Sequence, residues 1–524
     1  MPQMKLSITR PDRSWMVIFC LAVLVLLIHV LTAGNYELHR DAYLYIAQGD
    51  HPAFGYWSVP PLTAWLSKIF RIVFGESRVA VRLLPALIGS ASVIVIAAAV
   101  RTLGGKLPAI LLATFSFIFS IAYLRSNTLL QPVSLDQFFW LLTFFVLIKL
   151  LKTGNTRYWI LLAVVLGFGF LTKYSIVFLA AGIVPAFLLS GQRKLLWHRD
   201  VLIALVTGLV IISPNVWWQY QHNWVVLYHM ALLKKYQLVH VSIPGFFLAV
   251  ILMNLNAFIV WLAGLGFLLF HKDFRSYRPL GITWVIAMGI ILFLHGKAYY
   301  TLGLYTILFS FGAVEFEKYF WNRYRWLFYA NLIAIPLILL PVLPLALPVL
   351  SFKNLKSYCD KLKAIGLDAP MVWENGKVYD IPQDYADMTG WKELVEIVIK
   401  TYNSLDKNQQ QHTVIYAENY GQAGAIHFYG KKKGLPDPVS FNGSFIFWAP
   451  DSLAGLKYLI YVNDETKDVE RLFNNVVKKG AVQDPYFREG RLPVFLCSDP
   501  KDPSNRFYRN IVEPIKKQFI RNYR

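Results

Sequence analysis

The chain has 524 residues, 56% hydrophobic and only 16% charged, with a net charge of +21 and a mean hydropathy of +0.44. A soluble protein carries roughly 25% charged residues, so a wholly water-soluble fold is excluded. The basic excess sits in short loops between long apolar runs, which sets nucleic acid aside as a partner. Residues 1–350 hold 27 basic and 10 acidic residues, whereas residues 351–524 hold 25 and 21. The expected division is therefore a membrane domain over 1–350 and a soluble domain over 351–524.

A membrane-crossing helix needs roughly 20 apolar residues. About eleven spans are expected, near 14–33, 79–100, 107–124, 135–151, 157–171, 174–190, 201–217, 245–270, 279–295, 300–314 and 326–349. The first is too long, and lacks the small-residue cleavage site, to be a removed signal peptide. Lys5, Arg10 and Arg13 precede it, and Arg101, Lys106, Lys149 to Arg157, Arg193 to Arg199, Lys272 to Arg278 and Lys318 to Arg325 fall in alternate loops. Basic loops mark the cytoplasmic side, so the N-terminus is expected inside and the C-terminal domain outside. Asp12, Asp200, Asp273, Glu315 and Glu317 then belong to the inner face. Glu37, Asp41, Asp50, Glu76 and Asp136 are left for an outward-facing site.

The loop at about 34–78 is too long for a connector. Within it, PLTAWLSKIFRIVF (61–74) sets Leu62, Trp65, Leu66, Ile69 and Val73 on one helical face, with Lys68 and Arg71 off it. This reads either as an interfacial amphipathic helix or as a loop helix packed on the bundle. Beyond residue 350, HTVIYAE (412–418) and LKYLIYVN (456–463) read as strands. WKELVEIVIKTYNSL (391–405) and VERLFNNVVKKG (469–480) read as helices, giving a small α/β layer domain. The NYGQAG turn (419–424) is either a ligand-binding loop or a plain strand-to-helix turn. The basic end KKQFIRNYR is placed at the membrane surface. Cys359 and Cys497 share the C-terminal domain and, in an oxidising compartment, either pair or stay small buried hydrophobes.

Six segments, in order, carry a resemblance. They are HRDAYLYIAQGDHPAFGYWSVPPLTAWL (39–66), LTKYS (171–175), SPNVWWQYQHNW (213–224), GKAYYTLGLY (296–305), and DYADMTGWKEL (384–394) with NYGQAGAIHFYG (419–430). Together they resemble the polyprenyl-phosphate-dependent glycosyltransferases of the protein O-mannosyltransferase and lipid A aminoarabinose transferase superfamily. The resemblance implies a GT-C type fold: a polytopic α-helical membrane protein with interfacial helices in its first outer loop and a C-terminal soluble α/β domain. It also implies an inverting transferase in the bacterial cytoplasmic membrane. The donor would be a polyprenyl-phosphate sugar and the acceptor a glycan, lipid or protein hydroxyl.

Such a reaction calls for a carboxylate near the acceptor hydroxyl and cations near the departing phosphate. Asp41 matches the family's catalytic Asp, and Asp136 resembles its second outer Asp, though an Asp there also suits a helix N-terminus. Lys297, with Tyr299 and Tyr300 beside it, Lys173 and Arg82 are the donor-phosphate candidates, and His51 is a candidate for orienting substrate. Ala42 stands where the family commonly has Glu, and Ser58-Val59 where it often has an acidic residue or His; Glu37 or Asp50 are the candidates to compensate. No cofactor is called for, no zinc spacing or P-loop appears, and a divalent metal is left open. The competing readings are a lipid or glycan transporter, which also carries intramembrane charges and broken spans, and a non-catalytic envelope scaffold. No internal repeat favours the transporter.

Overall fold

The structure, a computed structural model, describes residues 13–501 and 504–523. Lys5, Arg10, Asp12 and Arg524 lie outside them. The first part runs α1 Arg13–Thr32, α2 Arg40–Asp50, α3 Leu62–Phe74, α4 Arg78–Leu103, α5 Leu107–Ile118, α6 Ile121–Ser126, α7 Pro132–Thr153, α8 Tyr158–Thr172 and α9 Ile176–Leu188. It continues with α10 Arg199–Gln221, α11 Val225–Tyr236, α12 Ile243–Met253, α13 Phe258–Phe270, α14 Arg278–Phe293, α15 Leu302–Phe320, α16 Arg325–Leu339 and α17 Leu343–Ala346. Among the described residues, six helices are long and apolar enough to cross a membrane, or seven if the pair α11 and α12, bent by 87°, counts as one. Every expected span overlaps helix, but three are interrupted. The 326–349 stretch breaks between α16 and α17. The 107–124 stretch breaks between α5 and α6, and the 245–270 stretch breaks between α12 and α13 at Asn254, whose side chain is buried. An apolar run hides such a break, because hydropathy does not register a polar residue facing the bundle interior.

The centre of the bundle is α15, buried along Leu302 to Ala313. It meets α13 at Gly312 and Gly264, where an added Cβ would strike the Val260 and Leu308 carbonyls respectively. Small residues let two apolar helices approach this closely when lipid offers no hydrophobic drive. At one end the basic loops converge: Lys106 N–H donates to Glu317, Lys318 pairs with Asp273, and Thr156 donates to Asp200. The opposite end gathers α2, α3 and the C-terminal part.

That part comprises α18 Phe352–Ala364, α19 Gln383–Ala386, α20 Trp391–Asn403, α21 Lys407–Gln411, β1 Thr413–Ala417, α22 Tyr420–Ala425 and α23 Phe445–Trp448. It ends with β2 Tyr458–Val462, α24 Lys467–Leu472, β3 Phe473–Ala481, β4 Pro493–Pro500 and α25 Ser504–Phe519. The sheet order is β1-β2-β4-β3, with β1 and β2 parallel and the other pairs antiparallel. The helix expected over 469–480 is a correction: only Lys467–Leu472 is helical, and Phe473–Ala481 is an edge strand whose Val476 and Val477 pair with Cys497 and Leu496. Cys359 and Cys497 are buried, unbridged, and sit in separate apolar clusters, so the small-hydrophobe reading holds.

The core of the sheet layer does not end at residue 351. Ala42, Tyr43, Leu44 and Ile46 of α2 share one buried cluster with Trp391, Leu394, Ala423, Ile426, Ile460 and Val494. Helix α3 turns its apolar side outward, with Ile69, Ile72 and Val73 exposed, and buries Ser67 and Arg71 instead. That is the arrangement of a helix lying in an interface, with its apolar face free for lipid. The chain's end docks rather than floats: Phe519 packs on Trp57 and Tyr228, and the Arg521 guanidinium lies 3.8 Å from the Tyr220 ring centre.

Candidate active site

Asp41 occupies the first turn of α2, where His39 is the N-cap and its Nδ1 accepts the Asp41 N–H at 3.1 Å. Its carboxylate is held from both sides. Tyr420 O–H donates to Oδ1 at 2.7 Å, and Gln131 Nε2 donates to Oδ2 at 2.8 Å. The side chain keeps 27% exposure. Burial pushes its carboxyl up, but the His39 and Arg40 side chains and the two donors outweigh this and hold it below the ordinary carboxylate range. An ionised, partly open carboxylate with unused lone pairs is fit to take a proton.

Behind Asp41 lies a cluster that sequence reasoning missed. His39 Nε2 faces Asp384 and Asp387 at 3.6 and 3.5 Å, and the three residues' ligand atoms lie within 4.8 Å of one another. This triad has metal-ligand character, but its donors are already spoken for. Arg125 Nε donates to Asp384 at 3.0 Å, and Arg488 Nη1 donates to Asp387 at 2.9 Å. With Nδ1 accepting a backbone N–H, Nε2 carries the imidazole proton, so a metal would have to displace a proton and two guanidinium partners. The donor set fits an ion-pair lock between α2 and the α19 segment better than it fits a metal. Its sequence signals were His39 directly before Arg40-Asp41 and the DYADM run.

Asp136 sits at the start of α7, where Trp140 Nε1 and Ser175 Oγ donate to it and Lys173 Nζ lies 3.8 Å away. Lys173 stands in the turn between α8 and α9, its ammonium 4.3 Å from the Tyr300 ring centre and 5.1 Å from that of Tyr299. Burial pushes the Tyr299 phenol well up, and Tyr300, Glu374 and Asp41 add to the effect. Asp136, Lys173, Tyr299 and Tyr300 thus form one group, and the Asp41 charge reaches it at Tyr299. Lys297 lies at its edge, donating to Glu374 at 2.5 Å and Gln237 at 2.7 Å.

Two expected residues do not join it. His51 lies at the far end of α2, stacked on Trp448 at 4.1 Å with Nδ1 against the Ala47 carbonyl. Arg82 is buried with both its terminal guanidinium nitrogens on the Ala33, Tyr36 and Glu37 carbonyls, so it pins the turn after α1. Arg82→Gln should leave these carbonyls unsatisfied and cost about 1–3 kcal/mol. Thermal melting in detergent should fall, while polyprenyl-phosphate affinity of the folded fraction stays unchanged. A selective loss of affinity would return Arg82 to the site. Nor does either neighbour stand in for the Glu missing at Ala42. Glu37 accepts Lys392 N–H, and Asp50 is held by Lys68, Arg71 and His427. The NYGQAG segment is a strand-to-helix turn: Asn419 and Gln422 form a capping box, and Gly424 is required because a Cβ there would sit 2.8 Å from that of Tyr43.

Solved structures share this architecture. ArnT from Cupriavidus metallidurans bound to undecaprenyl phosphate superposes with a TM-score of 0.64 at 12% identity, over 93% of this chain and 98% of that one. Its apo state gives 0.61 at 13% identity, over 92% and 98%. The fold is the GT-C fold of membrane glycosyltransferases. Residues 58–218 match the dolichyl-phosphate-mannose-protein mannosyltransferase family, a stretch that includes Asp136 and Lys173. The lipid A galacturonosyltransferase of Rhizobium johnstonii is 33% identical over 187 residues, 33% of this chain. The chain spans only 37% of the length of that relative. The GT-C resemblance read from the motifs is borne out, and the chain is a multi-pass membrane protein.

Proposed function

We propose that the protein is an inverting glycosyltransferase taking its sugar from a polyprenyl-phosphate donor at the outer face of the cytoplasmic membrane. Residues 1–350 form the membrane catalytic part, and residues 351–524 lie extracytoplasmically. The observation that carries this reading is the ionised, partly exposed Asp41, whose charge is felt at Tyr299 of the Lys173, Tyr299 and Tyr300 group, at the end of the bundle opposite the basic loops. The acceptor hydroxyl oxygen attacks the anomeric carbon opposite the phosphate, and a new glycosidic C–O bond forms. The anomeric carbon's bond to the phosphate oxygen breaks, its electron pair leaving with the lipid phosphate, and the hydroxyl proton passes to Asp41. Lys173, held by Asp136, is the cation placed to meet the departing charge. Lys297 is tied into its pair with Glu374 and is the weaker claimant. Similarity to a lipid A galacturonosyltransferase and to a structure holding undecaprenyl phosphate supports this reading over transport. It also favours a uronic acid donor and a lipid acceptor.

Undecaprenyl phosphate binding to the purified protein in nanodiscs tests the donor site. Lys173→Ala should weaken binding by roughly 10–100-fold, the value of one hydrogen bond to a charged group, and Lys297→Ala by less. Unchanged binding in Lys173→Ala would place the phosphate elsewhere.

A further inference from the structure

Asp41 lies in the first outer loop, yet one oxygen of its carboxylate is engaged by a residue 379 positions further along the chain. Three contacts fix that residue, Tyr420. The capping box of Asn419 and Gln422 sets the direction of α22 immediately after β1. Gly424, one turn on, lets α22 press against Tyr43 of α2. The Arg40 guanidinium lies 4.5 Å from the Tyr420 ring centre. We propose that Tyr420 is a positioning residue for the transfer reaction, clamping Asp41 through Oδ1 while Gln131 clamps Oδ2, so that the lone pairs left over face the acceptor hydroxyl. The proposal rests on Asp41 being the base.

A carboxylate has about four acceptor sites on its two oxygens. One donor on each oxygen stops rotation of the group and leaves a lone pair on each side. Burial pushes the Tyr420 phenol well above its ordinary value, so the hydroxyl keeps its proton and donates throughout the neutral range. The groups facing Asp41 are His39 and Arg40 at the start of its own helix, Tyr420 from α22, Gln131 from before α7, Asp387 from behind His39, and Tyr45 and Tyr299. Among these, Tyr420 is the neutral donor that a single atom deletion removes without emptying any packing.

Tyr420→Phe keeps the ring beneath Arg40. Turnover should fall about 10–100-fold, the value of one hydrogen bond to a charged group, with the KM for donor unchanged. The acid limb of the kcat/KM profile should move to higher pH, because the carboxylate has lost a donor that favoured its charged form. Incorporating 3-fluorotyrosine at 420, isosteric and a stronger donor, should move the limb the other way, and it supplies the test if Tyr420→Phe does not fold. A pH limb unmoved by either change, even with reduced melting temperature, would make Tyr420 merely structural and overturn the proposal. Asp41→Asn run alongside separates the two claims. If it stays active, the base assignment fails; if it is inactive while Tyr420→Phe keeps the native profile, only the positioning role fails.

Discussion

Asp41→Asn is expected to lower turnover by about 10²–10⁴-fold, the range for loss of a positioned general base, while the protein folds and binds undecaprenyl phosphate normally. The amide oxygen still accepts from one of the two donors, Tyr420 or Gln131, so the loop keeps most of its structure. It no longer takes a proton at neutral pH. Single-turnover transfer from a polyprenyl-phosphate sugar, with donor affinity measured separately, reads the two effects apart. Turnover within a few-fold of the native enzyme would remove Asp41 from the mechanism. Asp136→Asn should harm less, because that carboxylate acts by holding Lys173 and Ser175.

Asp50→Ala is expected to destabilise the outer end of the molecule by about 3–5 kcal/mol, the range for breaking a buried ion pair from one side. Asp50 and Arg71 are each 4% exposed and His427 is 2% exposed. Arg71 Nη2 donates to Asp50 Oδ2 at 3.1 Å, and His427 stands 2.9 Å from the same oxygen, with Asp437 2.8 Å away on its other side. Removing Asp50 leaves the buried Arg71 guanidinium with Glu76 and the buried His427 imidazole with Asp437, each short of one partner. The pH dependence of this junction has two edges. Burial raises the Asp50 carboxyl, but His427, Arg71 and Lys68 pull it far below the ordinary range. That contribution is present above the ordinary Asp value and lost only as pH falls through the depressed one. Burial lowers His427, but Asp437 and Asp50 raise it above 6.5. Its contribution is complete below 6.5 and lost as pH rises through the raised value. Melting temperature in detergent should therefore hold through mildly acidic pH and decline on the alkaline side, and Asp50→Ala should make that decline shallower, with Asp437 still holding the imidazole.

Much of this was legible in the residues. The long apolar runs became helices, Thr413–Ala417 and Tyr458–Val462 became adjacent parallel strands, and Lys173 pairs with Asp136. What escaped was the pairing between distant segments. Nothing local in NYGQAG says that its tyrosine meets Asp41, since that contact depends on how α22 packs across α2. Arg82 read as a site cation because a charge inside a span is costly; three backbone carbonyls satisfy it as well as a phosphate would. The α3 stripe read correctly as amphipathic, but the inward side is the polar one, where Arg71 finds Asp50.

The shared core of α2 and the sheet layer bears on how the protein matures. Helix α2 emerges from the ribosome early, yet the side chains that bury Tyr43 and Ile46 arrive only with residues 391–494. Contacts across such separations form late and slowly. Until then α2 lacks most of the partners that cover its apolar residues, and its carboxylate lacks the Tyr420 donor. On the proposed reading, a half-made chain would hold Asp41 through Gln131 alone, and the last third of translation would bring the Tyr420 hydroxyl that completes the site.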